Sequence, residues 1–94
     1  MKHCCEYMES NINDSSSYTK YNEIKRFYYI ERKSENVVNA IFFCPWCASR
    51  LPEDLILEYD KIASGVCGED IDFVPKDKIP KEFKSDEWWK KRGL

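Results

Sequence analysis

The apolar positions fall into short runs separated by longer polar stretches. Residues 18–32, YTKYNEIKRFYYIER, place Ile24, Arg26, Tyr28 and Ile30 on one face of an extended strand, with Phe27 and Tyr29 on the other. KSEN at 33–36 is a turn candidate, and VVNAIFF at 37–43 has the composition of a second strand. Two such runs with a four-residue connection predict an antiparallel hairpin of about 24–32 with 37–43. After it, Leu55, Tyr59, Ile62 and Ala63 recur at helical spacing. Pro52 suits a first helical turn, Glu53 and Asp54 suit the positive end of the dipole, and Gly65 suits a C-terminal stop. A main helix over about 52–64 follows from those signals.

The remaining segments carry weaker patterns. ESNINDSSS at 9–17 has no apolar period and reads as a loop, and 65–80 holds two Gly and two Pro without a regular element. A short final helix is expected from Ser85, with Asp86 and Glu87 in its first turn, Lys90, Lys91 and Arg92 toward its end, and Gly93 closing it. Trp88 and Trp89 then point about 100° apart, one inward and one toward the surface. These elements make a small α+β fold: a β-hairpin, one main helix and a short C-terminal helix.

Size and charge narrow the function classes. Ninety-four residues suffice for one domain, expected to span 1–94, with little apolar area to spare. Small scaffolds of this size often add a metal or disulfides. Five Phe, six Tyr and three Trp supply large groups to bury, which argues against disorder. The formal net charge of −2, with both signs interspersed, argues against nucleic acid as the partner. No apolar stretch approaches the ~20 residues of a membrane span, and MKHCCEYM lacks the apolar core of a signal peptide. A cytoplasmic monomer is expected. In a reducing compartment, five cysteines point to metal or redox chemistry rather than a disulfide framework.

The cysteine placement is the most specific signal. Cys44-Pro45-Trp46-Cys47 turns two sulfurs toward one point, and proline after the first cysteine stiffens the turn. Zinc requires four N or S ligands in a tetrahedron, so this knuckle supplies half a site. His3, Cys4 and Cys5 form the cluster able to supply the other half. In an extended strand His3 and Cys5 share a direction; in a tight turn Cys4 and Cys5 both reach one ion. The favoured ligand set for Zn²⁺ is Cys4, Cys5, Cys44 and Cys47, with His3 as the alternative ligand. Cys67, in a Gly-flanked loop, reads as a buried or free thiol. Ala48 follows the knuckle at a place that favours glycine, where an L-residue costs roughly 1–2 kcal/mol, less than a structural zinc contributes.

HCCEYM at 3–8, FCPWCASRLP at 43–52 and EFKSDEWWKKRGL at 82–94 together resemble a family of short uncharacterised bacterial and phage-associated proteins. These have an N-terminal His-Cys-Cys run and a zinc-ribbon-like Cys-Pro-x-Cys knuckle. The resemblance implies a zinc-ribbon-like fold and no activity. It is looser over 9–36 and 64–80.

Three functional readings compete. A structural-zinc domain acting as a protein-interaction module is the leading one, with the Phe27–Tyr28–Tyr29 strand and the Trp88–Trp89 tail as aromatic surface. A thiol–disulfide protein using Cys44 and Cys47 is an alternative, weakened because a hairpin rather than a βαβ pattern precedes the motif. An inhibitor or immunity-type protein that binds a toxin or enzyme is another. Hydrolytic zinc catalysis needs an open coordination position and a base, and a thiolate-rich set with a single histidine argues for a closed site and no enzyme.

Overall fold

The computed structural model describes residues 2–32 and 37–94, so the turn expected at 33–36 lies outside the described residues. The fold is small α+β, as the patterning predicts, with a three-stranded antiparallel sheet and three α-helices among the described residues. The chain divides into two compact units, drawn from within Met1–Asn22 and Phe27–Asp54 for the first, and from Glu23–Arg26 and Leu55–Leu94 for the second.

In the first unit, α1 (Glu6–Asn13) precedes β1 (Thr19–Asn22), β2 (Phe27–Arg32) and β3 (Val37–Ala40), in sheet order β1-β2-β3. Thr19 faces Ile30 and Asn22 faces Phe27; Tyr29 faces Ala40 and Arg32 faces Val37. The run 18–32, expected to hold one strand from 24 to 32, therefore holds two strands joined by a turn, and the second of them starts only at Phe27. Residues 23–26 make that turn, with Arg26 at φ 48°. The second strand is also shorter than 37–43, because Ile41–Phe43 leave the sheet for a separate hairpin. Tyr28 lies on the inner face of β2, and Phe27 stacks on Tyr29 on the opposite face with centroids 5.2 Å apart. Met8, Tyr28, Cys44 and Leu51 form the buried cluster, with Cys5, Ile12, Tyr21 and Ile41 packed against it.

The helix α1 takes residues 9–13 of the loop expected over 9–17, and residues 14–17 remain non-helical. Its amphipathic signal is faint, since only Met8 of its eight residues is buried. It starts because Cys5, in extended conformation, caps it: Cys5 Sγ accepts the Met8 N–H at 3.5 Å.

In the second unit, α2 (Ile56–Cys67) begins four residues later than expected and ends on Gly68 rather than Gly65. A helix beginning at Pro52 would put Leu51 and Leu55 on one face a turn apart. They belong instead to the two separate buried clusters, and residues 52–54 stay non-helical between them. Leu55 is pinned as its N–H donates to the Lys25 carbonyl at 2.7 Å. Gly68 takes φ 76°, the left-handed cap that Gly65 does not provide.

Three 3₁₀ turns, Ile71–Phe73, Lys76–Lys78 and Lys81–Lys84, lead into α3 (Glu87–Lys90). Each follows a residue suited to breaking the chain: Asp70, Pro75 and Pro80. Trp88 is fully buried with Phe83, Leu55 and Ala63, while Trp89 is half-buried, the split its adjacency implies. Both indoles are satisfied: Trp88 Nε1–H donates to the Ile24 carbonyl at 2.7 Å, and Trp89 Nε1–H to the Glu23 carbonyl at 2.8 Å. Tyr59 completes the aromatic group, edge-on to Trp88 at 5.4 Å, with its hydroxyl donating to the Phe83 carbonyl at 3.2 Å. Cys67 sits half-buried against this cluster.

The basic run near the C-terminus is paired. Lys90 meets Asp86 at 2.8 Å, and Lys91 and Arg92 both engage the Glu82 carboxylate. Those two hydrogen bonds hold the Glu82 carboxyl below its ordinary range.

Trp88→Ala should destabilise the second unit by about 3–5 kcal/mol and Trp89→Ala by distinctly less, measured by chemical denaturation followed by circular dichroism. Because the folded Glu82 carboxyl titrates below its unfolded value, its contribution is present above the unfolded pKa and lost as pH falls through the folded one. Glu82→Gln should accordingly flatten the acid limb of the urea midpoint plotted against pH, leaving the neutral-pH slope unchanged.

Candidate metal centre

The knuckle is the tip of a small hairpin. Phe43 and Arg50 form an antiparallel bridge, Leu51 N–H donates to the Phe42 carbonyl at 2.8 Å, and Cys44 N–H to the Ser49 carbonyl at 2.9 Å. Inside this frame Ala48 N–H returns to the Cys44 carbonyl at 2.9 Å, closing the tight turn. The turn needs a left-handed residue, and Ala48 occupies it at φ 62°. Ile41 ties the hairpin to the sheet through its N–H to the Tyr28 carbonyl at 3.1 Å. Leu51 and Cys44 are buried in the first-unit cluster, so the knuckle is packed from below.

Four sulfurs converge above that base. Cys4, Cys5, Cys44 and Cys47 lie with all Sγ atoms within 4.8 Å of one another. Cys5 and Cys44 are 3.7 Å apart, and Cys4 and Cys47 are 3.6 Å apart. A tetrahedral ion with metal–sulfur bonds of ~2.3 Å sets sulfur–sulfur edges of about 3.8 Å. The cluster therefore has the dimensions of a tetrathiolate site and could hold a metal ion.

Backbone dipoles converge on the same point. Cys44 Sγ accepts the N–H groups of Trp46 and Cys47, each at 3.4 Å, and Cys5 Sγ accepts that of Met8. Each such bond softens thiolate charge. The four thiols are electrostatically unequal. Cys4 is pushed up to about 12, by desolvation first and then by the sulfurs of Cys44 and Cys47. Cys47 is drawn down to about 6, by the Ser49 hydroxyl, 3.2 Å from its sulfur, and the Ser49 backbone N–H. Like charges this close cannot all ionise without a cation between them.

His3 takes a different position from the thiols. Its side chain is 3% exposed, and Nδ1 lies 2.6 Å from the Tyr28 hydroxyl. Its ring is edge-on to Tyr21 at 4.9 Å and to Tyr28 at 5.4 Å, and its backbone N–H donates to Glu9 at 2.8 Å. Burial lowers its pKa against the opposing pull of Glu9. His3 thus anchors the amino-terminal segment to β2, while Cys4 and Cys5 reach the knuckle. Sequence reasoning missed this anchor and the Ser49 contact. A lone Ser two positions beyond a cysteine carries no pattern, and the His3–Tyr28 pair spans 25 positions.

A second acidic group, Asp60, Asp70 and Asp72, brings carboxylate oxygens within 4.8 Å, all exposed. Among the described residues no helix is long and apolar enough to cross a membrane.

Fold and site together define a small α+β protein carrying a four-thiol cluster with the dimensions of a metal centre. The chain belongs to the family described as "Domain of unknown function (DUF6980)", whose model matches residues 2–91 and so takes in all four clustered cysteines and both tryptophans of α3. No curated protein and no solved structure matches it.

Ala48→Gly relieves the left-handed strain while raising unfolded-chain entropy; the net should stabilise the first unit by about 0.5–1 kcal/mol, read from the denaturant midpoint.

Proposed function

We propose that the first unit holds one structural Zn²⁺ through Cys4, Cys5, Cys44 and Cys47 in a zinc-ribbon-like arrangement, and that the protein acts as a non-enzymatic protein-interaction module of the cytoplasm. The observation that carries the metal reading is the convergence of four sulfurs from two segments at tetrahedral spacing. Four thiolates fill the coordination sphere of zinc and leave no position for substrate water. His3, engaged by Tyr28, stays with the supporting shell. A cation would let all four sulfurs ionise together, which also couples folding to metal and to pH.

The interaction reading rests on the surface around that centre. Val37 and Val38 of β3, with Phe42, Phe43 and Trp46 of the knuckle hairpin, are all exposed. Large apolar side chains gathered on one edge strand and the adjoining loop are unusual on a surface without a partner. A protein fits this apolar surface better than a nucleic acid, and in the second unit each of Lys90, Lys91 and Arg92 is engaged in an ion pair with Asp86 or Glu82.

Native mass spectrometry of protein purified without added metal should find one zinc per chain. A metal-free chain two hydrogens lighter than the reduced mass would replace the zinc reading with a disulfide one. Cys44→Ser should lose the ion and cost the first unit several kcal/mol, seen as collapse of its amide dispersion by NMR; a strong chelator should reproduce that change in the wild type.

A further inference from the structure

The thiol cluster has an inside and an outside. Cys44 is 2% exposed and rests on Met8, Tyr28 and Leu51. Cys5, its neighbour at 3.7 Å, is half-buried and caps α1. Cys4 and Cys47 are exposed, and their sulfurs are 3.6 Å apart. The tetrahedron therefore turns one edge to solvent and buries the opposite one. The exposed edge takes one sulfur from each of the two segments that the cluster joins.

We propose that this Cys4–Cys47 edge is an oxidation site, at which a peroxide-class oxidant converts the two exposed thiolates into a disulfide and releases the metal. The inference rests on the zinc reading above. One thiolate attacks a peroxide oxygen; the O–O bond breaks, and a sulfenic acid and hydroxide form. The second thiolate attacks that sulfur, forms the S–S bond and expels a second hydroxide. The sulfurs lose two electrons, peroxide gains two, and two protons from solvent complete two waters. Zinc keeps only Cys5 and Cys44, and leaves to water.

Geometry selects this pair over the others. A disulfide requires ~2.05 Å between sulfurs, so the gap must close by about 1.5 Å, divided between two exposed side chains. Pairing through Cys44 would pull a buried sulfur off the N–H groups of Trp46 and Cys47. Pairing through Cys5 would remove the cap of α1. The new bond links the same two segments that zinc links, 43 positions apart. Oxidation thus exchanges a metal clasp for a covalent one, and a dithiol reductant with zinc reverses it.

The test uses the zinc-loaded full chain and hydrogen peroxide, with a chromogenic chelator reporting free zinc and peptide mass mapping locating the disulfide. Cys67→Ser serves as a parallel sample in which only the clustered thiols remain. One zinc released per chain, a Cys4–Cys47 disulfide as the main product and metal rebinding after dithiothreitol are expected in both samples. Zinc release with a main disulfide through Cys5 or Cys44 overturns the inference, as does zinc retained while the thiols over-oxidise. A chain that carries no zinc before peroxide is added overturns the metal reading itself, and this inference falls with it.

Discussion

Two stretches of chain 39 positions apart meet through sulfur, and most of the first unit is arranged to let them meet. The sheet supplies the platform. Tyr28 on β2 receives His3 from one side and lies beside Cys44 and Leu51 in the same buried cluster. The amino-terminal segment is therefore held by an aromatic–imidazole contact, a backbone bond to Glu9 and the cap of α1 before any ion is considered. Such preorganisation matters in a chain this small. A cluster assembled only by metal would have to order every ligand segment at the moment of binding.

Each local choice in that unit serves the convergence. Cys5 is both a cap and a cluster member, so the start of α1 and the orientation of one sulfur are the same event. Ala48 accepts left-handed strain because the return of its N–H to Cys44 closes the turn that aims Cys44 and Cys47. The cost, roughly 1–2 kcal/mol, is small beside the ~10 kcal/mol or more that structural zinc contributes in small domains.

The second unit solves its own problem without thiol chemistry. It builds a core from Trp88, Phe83, Leu55 and Ala63, with Tyr59 and Ile24 packed around them. Much of the segment between α2 and α3 is 3₁₀ turn punctuated by Asp70, Pro75 and Pro80, so aromatic volume does what long helices do elsewhere. The indole N–H groups of Trp88 and Trp89 then hold the 23–26 turn by its carbonyls. That turn packs Ile24 against this core, which is why the strand expected from 24 begins only at Phe27.

The α+β class, the knuckle, the four cysteines singled out together, and the unequal burial of Trp88 and Trp89 were all legible from residue type and spacing. These are local properties: proline in a Cys-x-x-Cys turn, alternation in a strand, and a 100° step between helical neighbours act within a few residues. What tertiary structure alone decided was non-local. It split one apolar run into β1, a turn and β2, because Ile24 packs against one buried cluster while Tyr28 belongs to the other. It delayed α2 past Pro52, because Leu51 and Leu55 had to part. It turned the first part of the 9–17 segment, residues 9–13, from loop to helix through a thiol cap that no propensity scale scores. And it assigned His3 to Tyr28 and the adjacent cysteines to the knuckle, a choice between neighbours in sequence that only the distance to a partner 25 or more positions away can make.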